Sequence, residues 1–145
     1  MKLPKLVGIN HVALEVGDID QALEFYSSIF SIELRGKTSS SAFVDMGDQF
    51  LALMETGETS RDDHRHFGLV VEDNDQVRKI LEQKGVEILS GPFLDFMDPW
   101  GNHIQIVEYK NIQYTKTTEV LKAMGLGDLG KSDQALQELR DKGMA

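Results

Sequence analysis

Histidine is scarce in this chain, and its placement has a pattern. His11, His64, His66 and His103 are the four present, and Gln105 stands two positions after the last of them. Imidazole nitrogens and an amide oxygen suit a borderline divalent ion such as Mn, Fe, Co, Ni or Zn. An ion held this way with open positions acts as a Lewis acid on the oxygens of a small substrate. Glu15, four residues after His11, is the carboxylate placed to serve as a general base. The chain has no cysteine, which excludes thiolate catalysis, disulfide staples and Cys-ligated metal.

These residues need strands to aim them. In the segment from Asn10 to Val16, Val12, Leu14 and Val16 alternate with His11, Ala13 and Glu15; from His66 to Val71, Phe67, Leu69 and Val71 alternate with His66, Gly68 and Val70. Side chains two apart on a strand share a face, so each segment has an apolar face for packing and turns its histidine to the opposite, concave side. His64 shares the parity of His66. In the last strand Ile104 and Ile106 take the apolar face, leaving Gln105 and Val107 on the side of the histidines. His103 has the parity of Gln105 but stands at a hairpin turn, where a surface position is expected.

The two histidine strands are copies of one unit. A shift of 55 residues lays His11 to Gln21 over His66 to Gln76, and six of the eleven positions are identical: His11/His66, Leu14/Leu69, Val16/Val71, Asp18/Asp73, Asp20/Asp75 and Gln21/Gln76. Ordinary amino-acid usage would give about one match, so the chain contains a repeat, and repeats dictate architecture. In each copy an Asp follows the strand as a helix N-cap, and apolar residues then recur at helical spacing: Ala22, Leu23, Phe25, Tyr26, Ile29 and Phe30, or Val77, Ile80 and Leu81. Gly85 ends the second helix. Phe43 to Glu55 and Phe93 to Glu108 each resemble two strands joined by a Gly-containing hairpin.

The expected fold is therefore α+β: two tandem βαβββ modules forming a curved eight-stranded mixed sheet with helices outside. Residues 1–109 make a single domain, with module one at 6–56 and module two at 64–109. Residues 110–145 form a helical C-terminal extension, with short helices over Thr117 to Met124 and Ser132 to Lys142 covering a sheet edge or a subunit seam.

Composition narrows the partners. Fifteen Lys and Arg against twenty-four Asp and Glu give a net charge of −9, and such a surface repels nucleic-acid phosphates and anionic lipid. No apolar run approaches the roughly 20 residues of a membrane span, and no secretory signal pattern opens the chain, so a cytoplasmic location is expected.

Over residues 6 to 109 the chain resembles the vicinal-oxygen-chelate superfamily, which includes glyoxalase I, fosfomycin-resistance enzymes, extradiol dioxygenases and bleomycin-resistance proteins. The resemblance is carried by Asn10-His11 through Phe25-Tyr26, by His66-Phe-Gly-Leu-Val-Val-Glu-Asp73, and by Asp98-Pro-Trp-Gly-Asn-His-Ile-Gln105. It implies that His11 and His66 are metal ligands and that the last ligand position falls on Gln105, where the family pattern has glutamate. His64 is the alternative second-module ligand; the 55-residue repeat favours His66, because it pairs that residue with His11. The further ligand position of the glyoxalase I pattern falls on Ala52, which has no ligating atom, so a three-ligand set of the fosfomycin-resistance or dioxygenase type is closer.

Two functions are consistent with this reading. One is a small metal-dependent enzyme in which a divalent ion chelates two oxygens of a small substrate, with lyase, transferase, isomerase or oxygenase chemistry. The other is a metal-free small-molecule binding protein of the bleomycin-resistance type, favoured by Gln105 and Ala52. Exposed sheet edges, together with the resemblance, imply a homodimer.

Overall fold

The structure, a computed structural model, describes residues 1–5 and 8–145, so the expected start of module one at residue 6 lies outside the described residues. Its element order repeats. The first unit runs β1 (His11–Val16), α1 (Ile19–Ser27), β2 (Glu33–Lys37), β3 (Ser41–Asp45) and β4 (Phe50–Glu55). The second runs β5 (Phe67–Val71), α2 (Asn74–Lys84), β6 (Ile88–Leu89), β7 (Leu94–Met97) and β8 (His103–Glu108). A single 3-10 turn (Tyr109–Asn111) and two helices, α3 (Thr118–Ala123) and α4 (Asp133–Asp141), follow.

The repeat identities have local physical causes. Asp18 and Asp73 are the N-caps of α1 and α2, and their carboxylates accept hydrogen bonds from the backbone N–H of Gln21 and Gln76 at 2.8 and 3.0 Å. Each satisfies a donor that the first helical turn leaves unpaired. Gly85 closes α2 in the left-handed region at φ 66°, which a side chain would strain. Thr117 and Ser132 cap α3 and α4 in the same way as the two aspartates.

The eight strands divide into two four-stranded mixed sheets, ordered β1-β4-β3-β2 and β5-β8-β7-β6, with no ladder between them among the described residues. The first and last strands of each module pair in parallel at one edge of its sheet, and antiparallel neighbours complete the sheet. Strand alternation puts Leu14, Val16, Leu51 and Leu53 of one sheet and Leu94, Phe96, Ile104 and Ile106 of the other into one buried cluster with Tyr26, Val77 and Leu81 of the helices. The apolar faces of both modules thus share a core, and the faces carrying His11 and Gln105 are turned away from it.

One polar knot fastens the modules together. The buried Asp98 carboxylate accepts four hydrogen bonds: from Tyr26 Oη at 2.7 Å, from Asn102 Nδ2 at 2.8 Å, and from the backbone N–H groups of Trp100 and Asn102 at 2.9 Å. Asn102 Nδ2 also donates to the carbonyl of Glu15 in β1. Burial, and then the adjacent Asp98 charge and hydrogen bond, hold the Tyr26 phenol well above its ordinary pKa, so it remains a donor. The turn that these bonds stabilise needs Gly101 at φ 90°, where an added Cβ would lie 2.6 Å from the Arg61 backbone. The Phe-Tyr and Asp-Pro-x-Gly-Asn motifs are therefore two halves of one structural joint.

Candidate functional site

His11 opens β1 on the exposed side of its sheet. Its ring stacks on Phe50, the residue directly across in β4, with centroids 4.7 Å apart and planes 9° from parallel. Its Nδ1 is hydrogen-bonded to Asn10 Oδ1 at 3.0 Å, which makes Nδ1 the protonated nitrogen and leaves Nε2 with a free lone pair. Phe50 is itself held: a bulge in β2 at Arg35 brings that guanidinium 4.9 Å from the ring centroid, while Arg35 also bonds Asp45 at 2.6 Å and the carbonyls of Gly47 and Gln49.

His66 immediately precedes β5 and shows the same arrangement. Its Nδ1 lies 2.8 Å from the His64 carbonyl, an oxygen that only accepts, so Nδ1 carries the proton and Nε2 again has its lone pair free. An imidazole with Nδ1–H given to an oxygen is in the tautomer that metal-ligating histidines use. His64 has no comparable support: its side chain is 99% exposed, with Nε2 3.7 Å from Asp63.

Gln105 points to the same face from β8, flanked by Gly68 of β5 and Asp95 of β7 in register. Ala52 pairs with Ala13 on the corresponding face of the first sheet, where Ala52 is buried. Glu15 shares that face but stands four residues along β1, about 13 Å from His11 at the usual strand rise. Glu55 has a structural task, accepting from the Ile19 N–H at the start of α1.

His103 corrects the expectation of a surface position: its side chain is only 11% exposed. Nδ1 is bonded to the Asp63 carbonyl at 2.9 Å and Nε2 to Asp95 at 2.6 Å, and its ring lies 5.1 Å from that of His66. Desolvation pulls its pKa down, but the hydrogen bonds to Asp63 and Asp95 and the charges of Asp95 and Asp62 outweigh it, leaving the value raised. Both of its ring nitrogens are engaged in hydrogen bonds within the chain, so His103 has no free nitrogen to offer as a ligand. Asp95 went unnoticed in the sequence because nothing local marks it. The available signal was the strand pairing that sets it opposite Gln105.

Among the described residues no three His, Asp or Glu side chains converge as a metal-binding group. An open recess of about 680 Å³ between α1, the end of α2 and the β7–β8 turn is lined by Phe25, Arg61, Lys84, Glu87 and Trp100, and includes none of the expected ligands.

The family model of the Glyoxalase/Bleomycin resistance protein/Dioxygenase superfamily matches residues 8–106. The chain belongs to this superfamily. A metallothiol transferase FosB of Staphylococcus haemolyticus is 30% identical over 97 residues, covering 63% of this chain and 70% of that protein. FosB of Bacillus licheniformis is 27% identical over 120 residues, covering 73% and 78%. Among solved structures, the fosfomycin resistance protein FosX of Listeria monocytogenes, complexed with Mn(II) and sulfate, superposes with a TM-score of 0.62 at 19% identity, covering 83% of this chain and 99% of FosX. The parallel pair β1–β4 carries His11, and the parallel pair β5–β8 carries Gln105, with His66 just before β5. Residues 110–145 follow the part the family model matches. Among the described residues no helix is long and apolar enough to cross a membrane.

Proposed function

We propose that this member of the superfamily is a metal-dependent enzyme acting on a small oxygen-rich substrate, with group-transfer chemistry of the metallothiol transferase kind. The observation that carries the reading is the matched state of His11 and His66. Each gives Nδ1–H to an oxygen and keeps Nε2 free on an open face. The donor set suits the ion: His11 Nε2, His66 Nε2 and the amide oxygen of Gln105 would hold Mn(II) or a similar divalent ion, with positions left for substrate. When bound, the ion would supply Lewis-acid polarisation of substrate oxygens.

The chain's own residues do the rest. Phe50 stacks on His11 and keeps water from one side of it. The His103–Asp95 hydrogen bond fixes the ring that packs against His66. Glu15 is the carboxylate on the module-one face for taking a proton from a substrate long enough to reach it.

His11 and His66 sit on faces turned away from a shared core, so they meet where a second copy brings its module against the first. This supports a homodimer with two sites, each built from His11 of one protomer and His66 and Gln105 of the other.

Calorimetric titration with Mn(II) tests the reading. Wild type should take up about one ion per chain, His66→Ala and His11→Ala should lose uptake with their circular dichroism unchanged, and His64→Ala should retain it. The second reading, a metal-free binding protein, is favoured by the neutral Gln105 and by Ala52. Negligible heat with wild type would select it.

A further inference from the structure

The extension after β8 reaches back to the first module and grips the hairpin between β3 and β4. Lys116 Nζ donates to the Met46 carbonyl at 2.7 Å and pairs with Asp48. Val120 and Met124 of α3 pack so closely on Gly47 that an added Cβ would lie 2.7 Å from the Met124 sulfur. Tyr114 Oη donates to Gln49 Oε1 at 2.6 Å. Tyr114 is itself fixed from behind, because the Lys131 ammonium donates to the carbonyls of Tyr109, Ile112 and Tyr114.

Gln49 passes this grip to His11. Its Nε2 donates to the Ile9 carbonyl, two residues before His11, at 3.2 Å. The next residue, Phe50, donates its N–H to the Asn10 carbonyl at 3.1 Å and stacks on the His11 ring. Asn10 Oδ1 is the acceptor that sets the His11 tautomer. The hydrogen bonds of the extension thus reach Gln49 and Ile9, whose chain neighbours Phe50 and Asn10 are the two residues that touch the imidazole.

We infer that Tyr114 and Gln49 are positioning residues for His11, so that the C-terminal extension is part of the support of the ligand site and not only a cover for a sheet edge. The inference rests on the reading of His11 as a ligand, but its first consequence concerns the imidazole alone. Removing the Tyr114 hydroxyl frees the Gln49 side chain, loosens the Ile9–Asn10 backbone and lets the His11 ring and tautomer vary. His66, held by the His64 carbonyl, is outside this chain of contacts.

Tyr114→Phe is the clean test, since it keeps the ring that packs edge-on against Tyr109. Gln49→Ala and the double variant accompany it. In metal-free protein, side-chain nitrogen NMR should show His11 as a single Nδ1-protonated tautomer in wild type and as an averaged signal in each variant, with the His66 signal unchanged. Mn(II) affinity should fall by roughly tenfold, the lower end of the range for outer-shell partners of a ligand. The double variant should lose no more than the larger single loss, because both act through one path. Unchanged His11 signals in both single variants would overturn the inference, as would Mn(II) affinities equal to wild type. An absence of Mn(II) binding by wild type would instead defeat the ligand reading, and the NMR comparison would still decide the positioning role.

Discussion

At the scale of single residues, the unusual feature is Gln105. It stands on a sheet face with Asp95 across one ladder and Gly68 across the other, and in the proposed site it would supply a neutral oxygen where the superfamily pattern has a carboxylate. With the proposed set of two imidazoles and an amide, the charge of a divalent ion would be uncompensated by its ligands, so the ion would be held less tightly but would polarise substrate more strongly. Gln105→Glu adds the missing charge with no change in side-chain length. Mn(II) affinity should rise by about tenfold in calorimetry, since each 1.4 kcal/mol of added attraction is a decade, while turnover of a substrate falls. Equal affinity in the two proteins would place Gln105 outside the ligand set.

At the scale of elements, the joint around Asp98 matters most. One carboxylate satisfies the phenol of α1, two backbone N–H groups of the β7–β8 turn and the Asn102 amide, all in a buried setting. Asp98→Ala would strand these donors together, and each buried unsatisfied group costs about 1–3 kcal/mol. A loss of about 4 kcal/mol in urea unfolding is expected, large enough to come only from a broken buried network. Tyr26→Phe removes one donor and its hydroxyl together, so it should cost about 1 kcal/mol. Comparable small losses from both substitutions would mean that water replaces Asp98.

At the scale of the whole molecule, the shared core decides how the sites form. The apolar faces of both modules pack into one core, which turns the faces carrying His11 and Gln105 away from it. If a second copy completes the sites, as proposed above, sedimentation at micromolar concentration should show a two-chain species and not the 16.3 kDa chain alone. Co-expressed His11→Ala and His66→Ala chains give a sharper result. Their heterodimer would carry one site with both substitutions and one site with neither, restoring half of the Mn(II) uptake that each homodimer lacks. No recovery in an isolated heterodimer would mean that each site forms within one chain.

Much of this architecture was legible in the sequence because its causes are local. A period of two put His11 and Gln105 opposite their apolar neighbours, helical spacing and Asp caps marked α1 and α2, and the 55-residue identity between His11–Gln21 and His66–Gln76 announced the repeat. Thr117 and Ser132 likewise marked the helices of the extension through capping chemistry that needs only three residues. The tertiary structure alone decided which distant groups meet. It divided eight strands between two sheets, buried His103 against Asp95, joined Tyr26 to Asp98 across 72 positions, and brought Tyr114 to Gln49 across 65. Such pairings depend on strand register and on how apolar faces close over one another. A side chain's own neighbours in sequence carry no record of either.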